Sequence, residues 1–200
     1  MQSNIRPFLS TFLFFVLLTG LGYPLLVTGI GQIFFPAQAN GSLIEKDGHP
    51  LGSRLIGQNF SSGGYFWGRL SATASYPYNA GLSGGSNLGP LNPALVQEVN
   101  ARIQALKSAD PDNRLPVPAD LATSSASGLD PEISLASAEY QISRVAKARQ
   151  LPVLQVRSII QAHTLPALFG FLGETRVNVL ELNLALDELS NSQTQNPLNH

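Results

Sequence analysis

The 200-residue chain has no cysteine, one methionine and one tryptophan. Only 12% of its residues are charged, about half the share usual in a soluble protein. Without cysteine there is no disulfide framework, a condition that suits an exported domain and a cytosolic one equally. The charges that exist nearly balance. Leaving Arg6 aside, 11 basic residues face 13 acidic ones, so the basic patch that nucleic acid or an anionic bilayer surface would require is missing. The most telling absence is local. Between Arg6 and Glu45 there is no Asp, Glu, Lys, Arg or His.

That gap holds a dense apolar run over residues 12–35. At about 1.5 Å per residue it reaches roughly 36 Å, enough to cross a hydrocarbon core of about 30 Å with some tilt. Ala37-Gln38-Ala39 after the run offers the small-x-small pattern of a signal cleavage site, but the run is far longer than the 7 to 15 residues or so of a signal core. A buried helix of a water-soluble protein would be poorly served by Gly20, Gly22, Pro24, Gly29 and Gly31, which lipid tolerates better. The run therefore predicts an uncleaved transmembrane helix. Gly22 and Gly29, seven apart, fall on roughly one face of it and are candidate helix-packing positions. Arg6 on one side and Lys46 and Arg54 on the other leave the positive-inside balance close to even. An uncleaved anchor so near the N-terminus usually leaves a short cytoplasmic segment and exports the rest.

The predicted organisation is residues 1–11 as a short cytoplasmic N-terminus, 12–35 as the span, 40–188 as one extramembrane α+β domain and 189–200 as a polar tail. Asp47-Gly48, flanked by Ser42 to Lys46 and Pro50 to Leu55, predicts a hairpin. Residues 63–93, rich in Gly, Ser, Asn, Pro and aromatics, predict a long ordered loop. Asn92-Pro93 then opens a helix with Leu95, Val96, Val99, Ile103 and Leu106 on one stripe, ending before Asp110-Pro111. Residues 114–129 again read as loop. A second helix starts at Asp130-Pro131 or Ser134 and runs to about Arg149, with Ile142, Val145 and Ala146 inward. A third follows Pro152, with Val153, Val156, Ile159, Ile160 and His163 on one side. Leu180, Leu182, Leu184 and Leu186 alternate with other residues, a period of two that predicts a strand although Leu and Ala prefer helices.

Several patterns imitate catalytic motifs. Gly81-Leu82-Ser83-Gly84-Gly85 matches Gly-x-Ser-x-Gly, with His163 downstream as a base, yet the segments around it lack the strand and helix that a nucleophile elbow needs. Leu82-Ser83-Gly84-Gly85-Ser86 looks like the signature motif of ABC transporter ATPases, whose serine and glycine amides touch a γ-phosphate, and a turn-rich structural loop is its plain alternative. No phosphate-binding Gly-x-x-x-x-Gly-Lys loop accompanies it, for the chain contains no Gly-Lys pair. Leu184-Ala185-Leu186-Asp187-Glu188 imitates a magnesium-binding strand end without that loop. His49, His163 and His200 are far apart, and none stands at metal-ligand spacing from a carboxylate, so no metal site is expected.

Many short stretches, in order along nearly the whole chain, carry a stronger signal. They are Gly52-Ser53 with Leu55-Ile56-Gly57-Gln58, Phe66-Trp67-Gly68-Arg69, Ser83-Gly84-Gly85-Ser86-Asn87-Leu88-Gly89-Pro90, Pro118-Ala119-Asp120-Leu121, Ser127-Gly128-Leu129-Asp130-Pro131, Arg144-Val145-Ala146, His163-Thr164 and Gly173-Glu174. Arg176 through Leu180 and Leu182 through Leu186 complete them. In these the chain resembles the C subunit of the bacterial Kdp potassium-transporting P-type ATPase. It departs from that pattern at Leu70 and Thr175, where proline is favoured, and at Ala126, Glu132 and Leu165, where glycine, histidine and glutamate are.

The resemblance implies a non-catalytic subunit of an ATP-driven potassium import complex in the cell inner membrane. Another subunit hydrolyses ATP, and a channel-like subunit takes in potassium. The C subunit would stabilise the complex and act as a catalytic chaperone that raises ATP affinity, with Ser83, Gly84, Gly85, Ser86 and Asn87 as the nucleotide contact and ATP shared with the catalytic subunit. An extracytoplasmic domain could not reach cytoplasmic ATP, which favours contacts with the channel-like subunit instead. The competing reading from the residues alone is a membrane-anchored extracytoplasmic hydrolase using Ser83, or a binding module using the aromatic loop.

Overall fold

Pro24 shapes the first element of the computed structural model, which describes residues 5–195. Helix α1 (Ile5–Leu17) passes through a π-helical turn, Leu18–Gly22, into α2 (Tyr23–Phe34). Pro24 has no N–H, so the Gly20 carbonyl loses its α-helical donor, and Tyr23 N–H instead reaches back five residues to Leu18 O. The 30 residues Ile5–Phe34 are one candidate membrane span of mean hydropathy 2.0, and none of them is buried within the chain. A short helix, α3 (Pro36–Ala39), follows.

The chain divides into two compact units, one up to Leu51 and one from Gly52 on. Strands β1 (Leu43–Lys46) and β2 (His49–Ser53) pair as a hairpin. Asp47 and Gly48 at its turn both have positive φ, 54° and 75°, as the Asp-Gly pair predicts.

The second unit is α+β. Its long loop leads to α4 (Pro93–Ala109), capped by Asn92, whose side chain accepts the Ala94 N–H at 3.0 Å. The stripe expected on α4 is only partly used: Leu106 is buried, Leu95, Val99 and Ile103 are half-buried, and Val96 is exposed. The expected loop 114–129 contains one helical turn, α5 (Ala119–Ala122). Next come β3 (Glu132–Ser134), α6 (Leu135–Arg149), α7 (Val153–Ala162), β4 (Thr164–Leu165), β5 (Arg176–Asn178) and α8 (Val179–Gln195). Ser134, one of the two starts considered, caps α6 by accepting the Ser137 N–H at 3.1 Å. The strands form an antiparallel sheet of order β3-β5-β4, with Ile133 opposite Val177 and Thr164 also opposite Val177. Helix α6 packs on α7 and on β3, and α7 packs on α8. Phe66, Leu121, Val145, Val156, Ile160, Val177, Leu182 and Leu186 lie at the centre of the core and are fully enclosed.

The strand expected over Leu180–Leu186 is a helix. Only Arg176–Asn178 is strand, and Val179 opens α8. The buried positions are Val179, Leu180, Leu182, Asn183 and Leu186, of which Val179, Leu182, Asn183 and Leu186 form a stripe at helical spacing, with Leu189 partly buried beyond them. A polar residue at one inward position and a half-buried leucine at 184 give that stripe the look of alternation. Helix α8 runs on to Gln195, and residues 196–200 of the expected polar tail lie outside the described residues.

Candidate functional site

Two side-chain amides hold the aromatic loop inside the domain. Asn183 Oδ1 on α8 accepts the Phe66 N–H at 2.8 Å while its Nδ2 donates to Phe66 O at 3.0 Å. Gln141 on α6 treats the next residue in the same way, accepting Trp67 N–H at 2.8 Å and donating to Trp67 O at 3.1 Å. Both amides are buried, as are Phe66 and Trp67. Buried backbone groups must find partners, and this extended dipeptide has no neighbouring strand to supply them.

Three arginines close around the same segment. Arg144 donates to Gly63 O at 2.7 Å and to Gln141 Oε1 at 2.7 Å, with its guanidinium 4.4 Å from the Trp67 ring centre. Arg102 donates to Gly68 O and Leu121 O, and lies 5.2 Å from the same ring. Burial pulls the Arg144 guanidinium down to about 10, against the opposing pull of Asp110 and with a smaller push from Arg102, and burial lowers Arg102 as well. Arg149 reaches Gly64 O, pairs with Asp187 at 2.8 Å and stacks 4.7 Å from the Tyr65 ring. Tyr78 O–H donates to Arg69 O at 2.6 Å, and burial pushes its phenol up to about 12.

The Ser83–Asn87 loop lies against the Ser124–Gly128 segment. Ser83 Oγ and Gly84 N–H both donate to Ser127 O, at 3.1 and 2.9 Å, and Ser124 Oγ donates to Ser86 Oγ at 3.3 Å. A Cβ at Gly85 would come within 2.8 Å of Ala126 O, so glycine is required by close approach. Asn87 has φ 51°. The hydrolase geometry is not present: Ser83 is bonded to a carbonyl, and His163 Nδ1 meets Ile159 O at the end of α7. Asp187, in the acidic pair that imitated a magnesium motif, belongs to a helix and holds Arg149. Among the described residues no group of three or more His, Cys, Asp or Glu could hold a metal ion, and His200 lies outside them.

Gly22 sits in the π turn and Gly29 in α2. A Cβ at Gly29 would meet nothing within 4 Å, and one at Gly22 would approach only Leu17 O and Leu18 Cδ1 at 3.8 Å.

A cleft of about 620 Å³ is lined by Arg69, Asp120, Asp130, Glu132, Glu174 and Arg176, together with apolar residues such as Ile133 and Pro118. Arg69 pairs with Asp130 at 3.0 Å and Arg176 with Glu132 at 2.7 Å. Asp120 accepts the Ser134 N–H at 2.8 Å and binds Ser137 Oγ, so it secures the start of α6. Glu132, one of the departures from the family pattern, thus has a partner on the adjacent strand. Leu70, another, accepts the Ser125 N–H on its carbonyl oxygen at 3.1 Å.

Sequence reasoning missed the two amides and the arginine cage as working parts. Asn183 and Arg144 stood within the stretches that carry the resemblance, but nothing along the chain connects Asn183 with Phe66, 117 residues away.

A family model described as the c chain of the K+-transporting ATPase, KdpC, matches residues 5–188. Curated relatives give the same picture. The potassium-transporting ATPase KdpC subunit of Herpetosiphon aurantiacus is 60% identical over 189 residues, covering 94% of this chain and 98% of the relative. Those of Methylibium petroleiphilum and Polaromonas naphthalenivorans are 62% and 59% identical, with coverage of 94% of this chain and 98% and 96% of theirs.

Proposed function

The chain belongs to the KdpC family, the c chains of the K+-transporting ATPase, and on that premise we propose that it is the assembly subunit of the complex, with no catalytic step of its own. It is a membrane-associated subunit with one candidate N-terminal span. In this reading the span lies in the cell inner membrane with the N-terminus cytoplasmic, and the domain from Gly52 onward is on the outer side. Its partners are the channel-like potassium-binding subunit and the ATP-hydrolysing subunit, with contacts made chiefly to the former.

The observation that carries the reading is what the domain does with its polar side chains. Asn183, Gln141, Arg102, Arg144 and Arg149 are all turned onto backbone of residues 62–68. Side chains used in this way fix a shape, and a fixed shape is what a docking subunit needs, since ordering costs are then met before association. A role in raising ATP affinity through Ser83–Asn87 would draw on backbone amides, and the Gly84 amide is already engaged by Ser127 O. That favours a structural turn over a nucleotide contact.

The test is purification of the whole complex in mild detergent from cells with and without this subunit, joined to a topology reporter at its C-terminus. Co-purification with the large transport subunits and a reporter silent in the cytoplasm are expected. Recovery as a lone monomer, or a reporter active in the cytoplasm, contradicts the reading.

A further inference from the structure

The turn joining β4 to β5 is built differently from every other loop of the domain. From Leu165 to Gly173 its nine residues, Leu-Pro-Ala-Leu-Phe-Gly-Phe-Leu-Gly, contain no charge and no side-chain hydrogen-bonding group. The domain leaves them in the open: Phe169 is 79% exposed, Phe171 75% and Leu168 60%. Water is a poor medium for such a tip, since a contiguous apolar patch that is not covered marks an interaction site.

Four hydrogen bonds close part of its backbone on itself. Leu168 and Leu172 exchange N–H···O bonds in both directions at 2.9 Å, Gly170 N–H donates to Ala167 O at 2.9 Å, and Phe171 N–H donates to Leu168 O at 3.3 Å. This closure holds Phe169 at a positive φ of 55°, between Leu168 and a glycine at 81°, an uncommon conformation for a bulky residue. These four bonds lower the cost of taking the turn out of water, because in hydrocarbon no water replaces a missing partner. The flanks are polar, with His163 and Thr164 on one side and Glu174, Thr175 and Arg176 on the other.

We propose that the Leu168–Leu172 tip inserts into the lipid bilayer as a second, shallow anchor of the extramembrane domain. The proposal rests on the reading of Ile5–Phe34 as a membrane span, which keeps a bilayer within reach of the domain at high effective concentration. Composition favours lipid over a protein partner. Binding hot spots on proteins draw on Trp, Tyr and Arg, whose polar ends find partners, and the tip has only Leu, Phe, Ala, Pro and Gly. Hydrocarbon asks for nothing more, and a fluid medium accommodates a protruding turn without a preformed pocket.

Because the chain lacks cysteine, a single spin label can be placed at will. The full chain carrying Phe169→Cys, and separately Phe171→Cys, is labelled, assembled with the other subunits of the complex and reconstituted into phosphatidylethanolamine/phosphatidylglycerol vesicles. Relaxation by oxygen and by a water-soluble nickel chelate is then compared. Leu25→Cys in the span and Leu91→Cys, at a residue 95% exposed, serve as lipid and water references. The oxygen-to-nickel ratio at both tip positions should be several-fold above that at Leu91→Cys and approach that at Leu25→Cys. A ratio equal to the water reference overturns the proposal, as does shielding from both reagents, which would mean a protein partner covers the tip. A water-like value at Leu25→Cys would overturn the span and the proposal together, whereas a lipid value there with a watery tip overturns the tip alone.

Discussion

Asn183, in the second turn of α8, makes both hydrogen bonds that a neighbouring strand would otherwise make to Phe66, at 2.8 and 3.0 Å. One carboxamide, donor on one atom and acceptor on the other, stands in for a strand, and it fixes where the aromatic loop enters the core.

Replacing Asn183 with Leu keeps the volume and leaves the Phe66 N–H and C=O buried and unpaired. The expected cost is about 3 kcal/mol of domain stability. Gln141→Leu should act similarly at Trp67. Thermal unfolding of the detergent-solubilised full chain, followed by far-ultraviolet circular dichroism, would register this as a clear drop in Tm. An unchanged Tm would mean the loop finds other partners.

Ser83 and Gly128 should respond in opposite ways. Ser83→Ala removes one exposed hydrogen bond to Ser127 O and should leave potassium-dependent ATP hydrolysis by the assembled complex within a few-fold, since loss of a nucleophile costs many orders of magnitude. Gly128→Ala sets a side chain at φ 68°, with its Cβ within 2.6 Å of Thr73 Cγ2 and 2.7 Å of Gly84 O. The positive φ alone costs about 1–2 kcal/mol, and displacement of Gly84 should loosen the loop enough to admit protease. Abolished turnover in Ser83→Ala with normal assembly would contradict the structural reading of that serine.

Tyr78 should be among the last of the five tyrosines to ionise. Its folded value, pushed up to about 12 by burial, lies above the ordinary 10, so the neutral form is the one the fold favours. Its contribution to stability is complete below pH 10 and is lost as pH rises through about 12. Absorbance at 295 nm during alkaline titration should show a late component that disappears in Tyr78→Phe. A variant titrating identically to the parent chain would rule this assignment out.

In the span, Gly22→Leu together with Gly29→Leu should keep the helix in the membrane, because leucine is the more apolar residue. Both positions have room for a side chain within the chain itself, so intrachain packing does not oppose the change. If that face is pressed against a partner helix, recovery of the other subunits of the complex in co-purification should fall. Full recovery would leave the helix as an anchor and the extramembrane domain as the carrier of assembly.

Periodicity and punctuation told the local story well. Asp47-Gly48 announced its hairpin, Asn92-Pro93 its helix start and Ser134 its cap, because each acts on the backbone within a few residues of itself. Where burial depends on distant neighbours, local reading failed. Val96 sits on an apolar stripe yet is exposed, since the domain covers the neighbouring Leu95 and Val99 only in part and leaves Val96 to solvent. Leu180 to Leu186 alternate like a strand and form a helix, because α7 packs along α8 and the buried stripe includes a polar Asn183. The apolar tip at Phe169 drew no attention in the sequence, where nine apolar residues could equally be core.

The sequence by itself determined the apolar span, the single α+β domain behind it and the family, since these rest on composition and on residue order. Tertiary structure alone decided what the chemistry-bearing residues do. A serine in a Gly-x-Ser-x-Gly pattern, an acidic pair and three arginines have the same reactivity on paper wherever they stand. Here the fold brings Ser127 O to Ser83, Arg149 to Asp187 and the backbone of residues 63 and 68 to Arg144 and Arg102, and a polar group already bonded inside a protein is no longer free to act on a substrate.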